Sequence, residues 1–204
     1  MDIEYCEEVF PFIIINNTYD EWELELIWEE LNFLCYYEKL ETDPYKSGTA
    51  TSEDNIPLKK NRCIWLDTLY KERDYSNILR VNRKLLCDRA KTIKQHPSWF
   101  FKSFDCDKDT TLVSYYENSD YYEKHSDSAS ATVLTWFYKE PKKFSGGDIH
   151  LHYEDLDIKV ECVNNRTLIF PSTIKHSVDK IEMSEEDCGK KYGRICITQF
   201  LTFK

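Results

Sequence analysis

The sequence lacks the features that mark several classes of protein. No apolar run approaches the length that a helix needs to cross a bilayer. The first residues have neither the basic nor the apolar region of a signal peptide, so we expect a cytoplasmic protein without a membrane partner. Glycine is scarce, with five residues in all, and the chain contains no internal repeat or low-complexity segment. At 204 residues, a single domain over 1–204 is the expected organisation.

An excess of positive charge is also absent. The chain has 37 acidic and 27 basic residues, which gives a net charge of -10, and the two signs are interleaved. Proteins that bind phosphate backbones normally present a basic stripe. The charge pattern therefore argues against a nucleic-acid partner.

The eight cysteines contain no CxxC pair and are scattered through apolar surroundings. In a cytosolic chain such thiols are usually reduced and behave as small buried hydrophobic residues. We therefore predict neither a disulfide framework nor a cysteine-rich zinc site.

What the sequence does contain is typical of a β-rich globular protein, with 41% hydrophobic and 15% aromatic residues. In the N-terminal half, residues 10–15 predict a buried strand, and Asp20 with Glu23 forms the pattern of a helix capping box. Strand character returns at residues 62–66, and a second helix is predicted over 75–94, ended by Pro97.

Beyond residue 111 the pattern alternates as in strands, with turn residues at Gly146-Gly147 and Asn164-Asn165. This spacing predicts two facing antiparallel sheets. The predicted strands are 112–116, 131–138, 148–153, 158–163, 167–170 and 194–203.

The most informative motif is His125-Ser126-Asp127, followed by a lone His176 and then Arg194. In an extended segment alternate side chains point the same way, so His125 and Asp127 can reach one metal ion. Two imidazoles and one carboxylate can occupy one face of an octahedron and leave three positions open. This is the ligand set of non-haem Fe(II) oxygenases.

The ordered set of motifs resembles the core of the prolyl hydroxylase-like, 2-oxoglutarate-dependent dioxygenases. Tyr116 and Tyr122 precede His125 at offsets common in that family, and the segment 144–149 is similar to its turn before the next strand. The resemblance covers roughly residues 112–203. It implies a mainly β fold with a double-stranded β-helix, or jelly-roll, core over about 111–204, supported by N-terminal helices and a finger-loop region over about 1–110.

The resemblance also implies a set of ligands and roles. Fe(II) would be held by His125, Asp127 and His176, with 2-oxoglutarate and O2 as co-substrates and ascorbate as a supporting reductant. The distal carboxylate of 2-oxoglutarate needs a cation, and Arg194 can meet it with two parallel hydrogen bonds while Tyr116 donates a third. The positions expected to line the pocket are Tyr122, Leu134, Trp136, Ile149 and Thr198.

The implied reaction is hydroxylation of a C–H bond, with a prolyl residue in a peptide or protein as the expected substrate and succinate and CO2 as products. Three features have more than one interpretation. The segment 182–191 lengthens the connection before Arg194 and supplies Lys190 and Lys191 as competing anchors. Trp136 stands where the family often has tyrosine, and the polar segment 41–61 is either a lid over the substrate or a surface loop.

Alternative functions follow from the same residues. The enzyme could hydroxylate a free amino acid or another small molecule, or the chain could be a sensor that binds metal and 2-oxoglutarate without turnover. His150 and His152 could form a cupin-like metal site, but they fit the polar outer face of a strand better. Nucleobase dealkylation is disfavoured because no second cation follows Arg194 between residues 195 and 201.

Overall fold

The computed structural model describes residues 2–7, 9–36, 39–85 and 90–203. The helices are α1 Glu21–Tyr36, α2 Leu66–Leu69, α3 Asn77–Asn82, α4 Ala90–Ile93 and α5 Trp99–Lys102, with 3-10 turns at Arg73–Tyr75 and Arg83–Leu85. The strands are β1 Asp2–Cys6, β2 Phe12–Asn16, β3 Lys59–Lys60, β4 Arg62–Trp65, β5 Cys106–Tyr116, β6 Tyr121–His125, β7 Ala131–Phe137, β8 Phe144–Ser145, β9 Ile149–Tyr153, β10 Leu156–Val160, β11 Arg166–Pro171, β12 Lys175–Val178, β13 Glu182–Met183 and β14 Arg194–Phe203.

These strands form two main antiparallel sheets. The larger sheet has the order β1-β2-β11-β7-β14-β5-β4, the smaller has the order β10-β9-β12-β6-β3, and β8 with β13 forms a separate pair. The prediction of a mainly β protein with helices and two antiparallel sheets is confirmed. No helix among the described residues is long and apolar enough to cross a membrane.

The two sheets face each other across an apolar core. Leu134 and Trp136 from the larger sheet pack in one cluster with Ile149 and Leu151 from the smaller sheet. Every residue of β7 is buried, because the intervening side chains, such as Phe137, lie in a second cluster against helices α1 and α3. A strand covered on both faces has a continuous apolar sequence rather than an alternating one.

Helix α1 begins where the capping box predicts. The backbone N–H of Asp20 donates to Glu23 Oε2 and the N–H of Glu23 donates to Asp20 Oδ1, each at 3.0 Å. Ile27, Leu31 and Leu34 are buried along the face that packs against the larger sheet. The helix therefore covers the face of the larger sheet that points away from the smaller sheet.

The prediction of one continuous helix over 75–94 was wrong. Helix α3 ends at Asn82, a 3-10 turn follows, and α4 begins at Ala90, with residues 86–89 outside the described part of the chain. The side chain of Asn82 is buried and donates to Thr111 Oγ1 at 2.9 Å, while Arg83 pairs with the buried Asp109. These contacts attach the end of α3 to strand β5. The expected apolar positions are nevertheless buried: Ile78, Val81, Leu85 and Ile93.

Alternation did not predict strands β1, β6 and β12 or helix α5. Strands β6 and β12 carry polar residues on both faces near the site, so they give no apolar period of two. Cysteines 35, 63, 162, 188 and 196 are free thiols, and four of these five are buried.

Candidate active site

Strands β6 and β12 place two imidazoles side by side. His125 and His176 lie directly opposite each other in the antiparallel register, and their ring centroids are 4.2 Å apart. Paired residues of neighbouring strands project to the same face of the sheet. Asp127 lies just beyond the end of β6, where its backbone N–H donates to Ser172 O at 3.0 Å.

The three side chains converge. Asp127 Oδ1 lies 3.8 Å from His125 Nε2, and Asp127 Oδ2 lies 3.5 Å from His176 Nε2. One ligand atom from each residue lies within 4.8 Å of the other two. His125 and His176 are buried and Asp127 is half-buried, so the donors face a sheltered space. Such a set can hold one divalent ion with open positions.

Hydrogen bonds fix which imidazole nitrogen faces the site. Nδ1 of His125 donates to Glu123 O at 2.7 Å and Nδ1 of His176 donates to Ile174 O at 3.0 Å. A carbonyl only accepts, so Nδ1 carries the proton and the Nε2 lone pair is free for a metal. Burial, together with the neighbouring His176, lowers the pKa of His125 to about 3, which keeps this ligand neutral.

Asp127 is oriented by residues of the larger sheet. Thr132 Oγ1 donates to Asp127 Oδ2 at 2.6 Å and is itself 2.8 Å from Ser172 Oγ. Both hydroxyl residues are fully buried. Partners of this kind set the direction of a metal ligand and contribute to its affinity.

Tyr122 forms one wall beside the ligands. Its ring stacks on His125 with centroids 3.5 Å apart and an interplanar angle of 13°. Its hydroxyl accepts from the backbone N–H of Ala50 at 3.1 Å, which connects the segment 41–61 to the site. Gly48, Thr49 and Ala50 line the same cavity.

A cavity of about 370 Å³ extends from the two histidines across the larger sheet. Its lining includes four of the predicted pocket positions: Tyr122, Leu134, Ile149 and Thr198. Trp136 is not part of that lining and is fully buried, so its prediction as a pocket residue was wrong. The indole packs in the core behind Arg194, whose guanidinium carbon lies 6.0 Å from its ring.

Arg194 is the second distinctive feature of the cavity. It is 1% exposed, it begins β14 opposite Tyr116, and its guanidinium carbon lies 4.8 Å from the centre of that ring. Its Nε and Nη1 atoms have no hydrogen-bond partner, and among the residues that the structure describes no carboxylate pairs with it. A buried charge without a counter-charge is costly. The end of the cavity that contains Arg194 is therefore suited to bind an anion.

Tyr116 lies beside that cation on the cavity wall. Burial raises the pKa of its phenol, so the hydroxyl keeps its proton at neutral pH and can donate. The competing cations, Lys190 and Lys191, lie in the loop after β13 and do not line the cavity.

Solved structures with this architecture are known. A Pseudomonas putida prolyl-4-hydroxylase matches with a TM-score of 0.60 at 13% identity over 95% of this chain and 92% of that chain. The chain has the fold of the prolyl 4-hydroxylases. A Trichoplax adhaerens prolyl hydroxylase, in complex with a hypoxia inducible factor oxygen degradation domain peptide fragment, gives 0.59 at 18% identity over 94% and 83% of the two chains.

A Burkholderia pseudomallei oxidoreductase of the 2OG-Fe(II) oxygenase family matches with a TM-score of 0.58 at 11% identity, over 94% of this chain and 84% of that chain. No protein-family model and no curated protein matches the sequence. The prolyl hydroxylase-like fold is therefore recognised through the structure.

Several residues of the site gave no sequence signal. Thr132 and Ser172 orient Asp127 but are ordinary strand and turn residues in the sequence. Gly147 was predicted as a turn residue, but it also leaves room for Arg194: a Cβ there would lie 2.8 Å from Arg194 Cδ. Its φ of +73° is also one that glycine adopts without strain.

The rival histidine pair lies on the outer face of the smaller sheet, as predicted. His150 contacts Asp157 through Nδ1 at 2.7 Å and Asp179 through Nε2 at 3.1 Å, and His152 Nε2 lies 2.9 Å from Ser177 Oγ. Partial burial opposes protonation of His150, but the bonds to the two carboxylates outweigh it and raise its pKa. The ring nitrogens of His150 are thus engaged by the protein itself.

Proposed function

We propose that this protein is an Fe(II)- and 2-oxoglutarate-dependent dioxygenase that hydroxylates a C–H bond and releases succinate and CO2. The observation that carries the proposal is the pairing of two unusual sites in one cavity. One is the cluster of His125, Asp127 and His176, and the other is the buried, unpaired Arg194. The strand order and the facing sheets also support a double-stranded β-helix core.

The donor set fits Fe(II). Two imidazoles and one carboxylate are the ligands typical of non-haem Fe(II) oxygenases, and no thiolate belongs to the cluster. His125, Asp127 and His176 would hold the ion, and the bound ion would supply a site for activating O2 together with 2-oxoglutarate. The protein contributes geometry, charge and exclusion of water.

Arg194 and Tyr116 fit the distal carboxylate of 2-oxoglutarate. The guanidinium holds its N–H donors in a fixed planar arrangement that matches the two oxygens of a carboxylate, and its Nε and Nη1 atoms have no hydrogen-bond partner in the protein. The protonated phenol of Tyr116 lies on the same wall and adds a donor. Leu134, Ile149 and Val178 form apolar walls of the same cavity, so the ion pair would be shielded from water.

A prolyl residue in a peptide or protein is the proposed substrate. Structures of the same fold include prolyl hydroxylases, one of them bound to a peptide fragment. The cavity continues along β14 past Thr198 to Phe200 and Thr202, next to Trp65. This extension gives an elongated substrate space away from Arg194.

A free amino acid or another small molecule is the second candidate. The observation that favours it is the segment Gly48–Ala50, which lines the cavity and is attached to Tyr122 by a hydrogen bond. A segment that encloses the site would suit a small substrate.

The proposed dioxygenase function also includes localisation in the cytoplasm and stimulation by ascorbate.

Two measurements test the function. Wild-type protein should bind one Fe(II) or Mn(II) per chain in calorimetry, and His176→Ala should lose this binding while its circular dichroism spectrum is unchanged. With Fe(II), 2-oxoglutarate and a panel of prolyl peptides and amino acids, mass spectrometry should detect succinate and a product 16 Da heavier. Metal and 2-oxoglutarate binding without succinate would instead identify a sensor, and an unchanged metal stoichiometry in His176→Ala would refute the metal site.

A further inference from the structure

A second buried cation lies in the same cavity. Lys59 is part of the short strand β3, where it pairs with Tyr122 in the antiparallel register. It is 5% exposed and lines the cavity on the side of the imidazoles, since Tyr122 stacks on His125. The ammonium therefore acts on the interior of the site and not on the surface.

Lys59 has no anionic partner among the residues that the structure describes. Its Nζ lies 3.5 Å from Cys63 Sγ and 5.6 Å from the centre of the Tyr122 ring. The neighbouring Lys60 behaves as an ordinary surface lysine, exposed and 3.3 Å from Asp120 Oδ1. A thiol and an aromatic face compensate a buried ammonium much less than a carboxylate does.

The charge balance of the cavity indicates that Lys59 can bind an anion. Among the described residues that line the cavity, the acidic residue is Asp127 and the two cationic residues are Lys59 and Arg194. In the proposed function, Asp127 and a doubly charged 2-oxoglutarate together balance a divalent ion and Arg194. Lys59 then remains as the one uncompensated charge of the lining.

We propose that Lys59 binds a carboxylate of the substrate. The inference rests on the proposed function and specifies the substrate class: a molecule that presents a carboxylate to Lys59 and a C–H bond to the side of the cavity formed by His125 and His176. The carboxylate can belong to a free amino acid, to the C-terminal residue of a peptide, or to an acidic side chain beside the reacting residue. All three share the same recognition chemistry.

The test compares Lys59→Met with Lys60→Met, which removes a charge from the exposed neighbour. Each protein is loaded with Mn(II) and an inert analogue of 2-oxoglutarate, and binding of probe pairs that differ only in charge is measured by calorimetry. The pairs are common L-amino acids and their amides, prolyl peptides with a free or amidated C-terminus, and capped prolyl peptides with glutamate or glutamine next to proline. Binding of 2-oxoglutarate itself is measured on every variant.

The expected result is that at least one carboxylate binds wild-type protein about tenfold or more tightly than its uncharged partner. Lys59→Met should lose this preference and Lys60→Met should keep it. The pair that shows the preference identifies the source of the carboxylate. The affinity for 2-oxoglutarate should be the same in all three proteins, which also shows that the site is intact in Lys59→Met.

Three results would overturn the role of Lys59: no carboxylate binds at millimolar concentration, the preference persists in Lys59→Met, or that variant loses 2-oxoglutarate instead. The last result would make Lys59 a co-substrate anchor. Failure of the proposed function is distinguishable, because wild-type protein would then either fail to bind 2-oxoglutarate or bind it without releasing succinate.

Discussion

Removing the charge of Arg194 should have opposite effects on co-substrate affinity and on stability. In Arg194→Met a carboxylate in the cavity loses a bidentate, desolvated partner, and truncating one side of such a pair costs roughly 2 to 5 kcal/mol. At about 1.4 kcal/mol for each factor of ten, the dissociation constant for 2-oxoglutarate should rise by a factor of roughly 30 or more. Metal affinity should change little, because in the described part of the chain no hydrogen bond or ion pair joins Arg194 to His125, Asp127 or His176.

The stability of the ligand-free protein should respond differently. Nε and Nη1 of Arg194 are buried without acceptors, and each unsatisfied group of this kind costs about 1–3 kcal/mol. Replacement by methionine, which keeps an unbranched apolar side chain, should therefore leave the free energy of unfolding unchanged or raise it by about 1 kcal/mol or more.

Calorimetry with 2-oxoglutarate and urea unfolding of the same samples give both quantities. Arg194→Lys should recover only part of the affinity, since an ammonium lacks the planar arrangement of donors, and Lys190→Met serves as the surface control. Arg194 is not the anchor of the co-substrate if Arg194→Met binds 2-oxoglutarate as wild type does. A larger loss of affinity in Lys190→Met would place the anchor in the loop after β13 instead.

Four further outcomes are expected. Gly147→Ala should weaken 2-oxoglutarate binding, because the added methyl group would displace Arg194. Gly189→Ala has the same φ of +73° but open space around it, so it should only lower stability by about 1–2 kcal/mol. Equal binding of 2-oxoglutarate by both variants in calorimetry would contradict this. Thr132→Val should weaken Mn(II) binding about tenfold or more, because the ligand carboxylate loses its 2.6 Å donor, and an unchanged isotherm would exclude that role. The pKa of His125 is about 3 in the folded protein and about 6.5 in the unfolded chain, so the unfolded state binds more protons between these values. Urea unfolding should therefore show that the free energy of unfolding falls as the pH drops below about 6.5. His125→Gln should flatten this pH dependence. Backbone amides of residues 41–61 should exchange faster without ligands than with metal, co-substrate analogue and substrate, and exchange that is already slow without them would rule out a lid.

The sequence predicts the order of the chemical groups better than it predicts their surroundings. His125, Asp127, His176 and Arg194 could be named because their residue types and spacing resemble a known pattern, and β14 could be placed because ten residues follow a strand pattern. The orientation of Asp127 could not be predicted, since its partners come from β7 and from the turn after β11.

Two further examples show where local patterns fail. Leu134 and Trp136 share one face of β7, and alternation alone gives them the same environment, yet only Leu134 reaches the cavity because Trp136 lies behind Arg194. Lys59 and Lys60 are adjacent lysines in a strand of two residues. Nothing in the sequence distinguishes the buried one, because its burial depends on the distant strand β6.

The position of Asp127 has a mechanical consequence. The two imidazoles belong to the smaller sheet, whereas Asp127 is attached through Ser172 and Thr132 to the larger one. An ion shared by the three side chains would join the two sheets through ligand bonds at one end of the sandwich, in addition to the apolar packing between them. Spreading the layers at that end would then require breaking ligand bonds. Loading the centre should accordingly make the whole β sandwich harder to unfold, in proportion to the logarithm of free metal concentration.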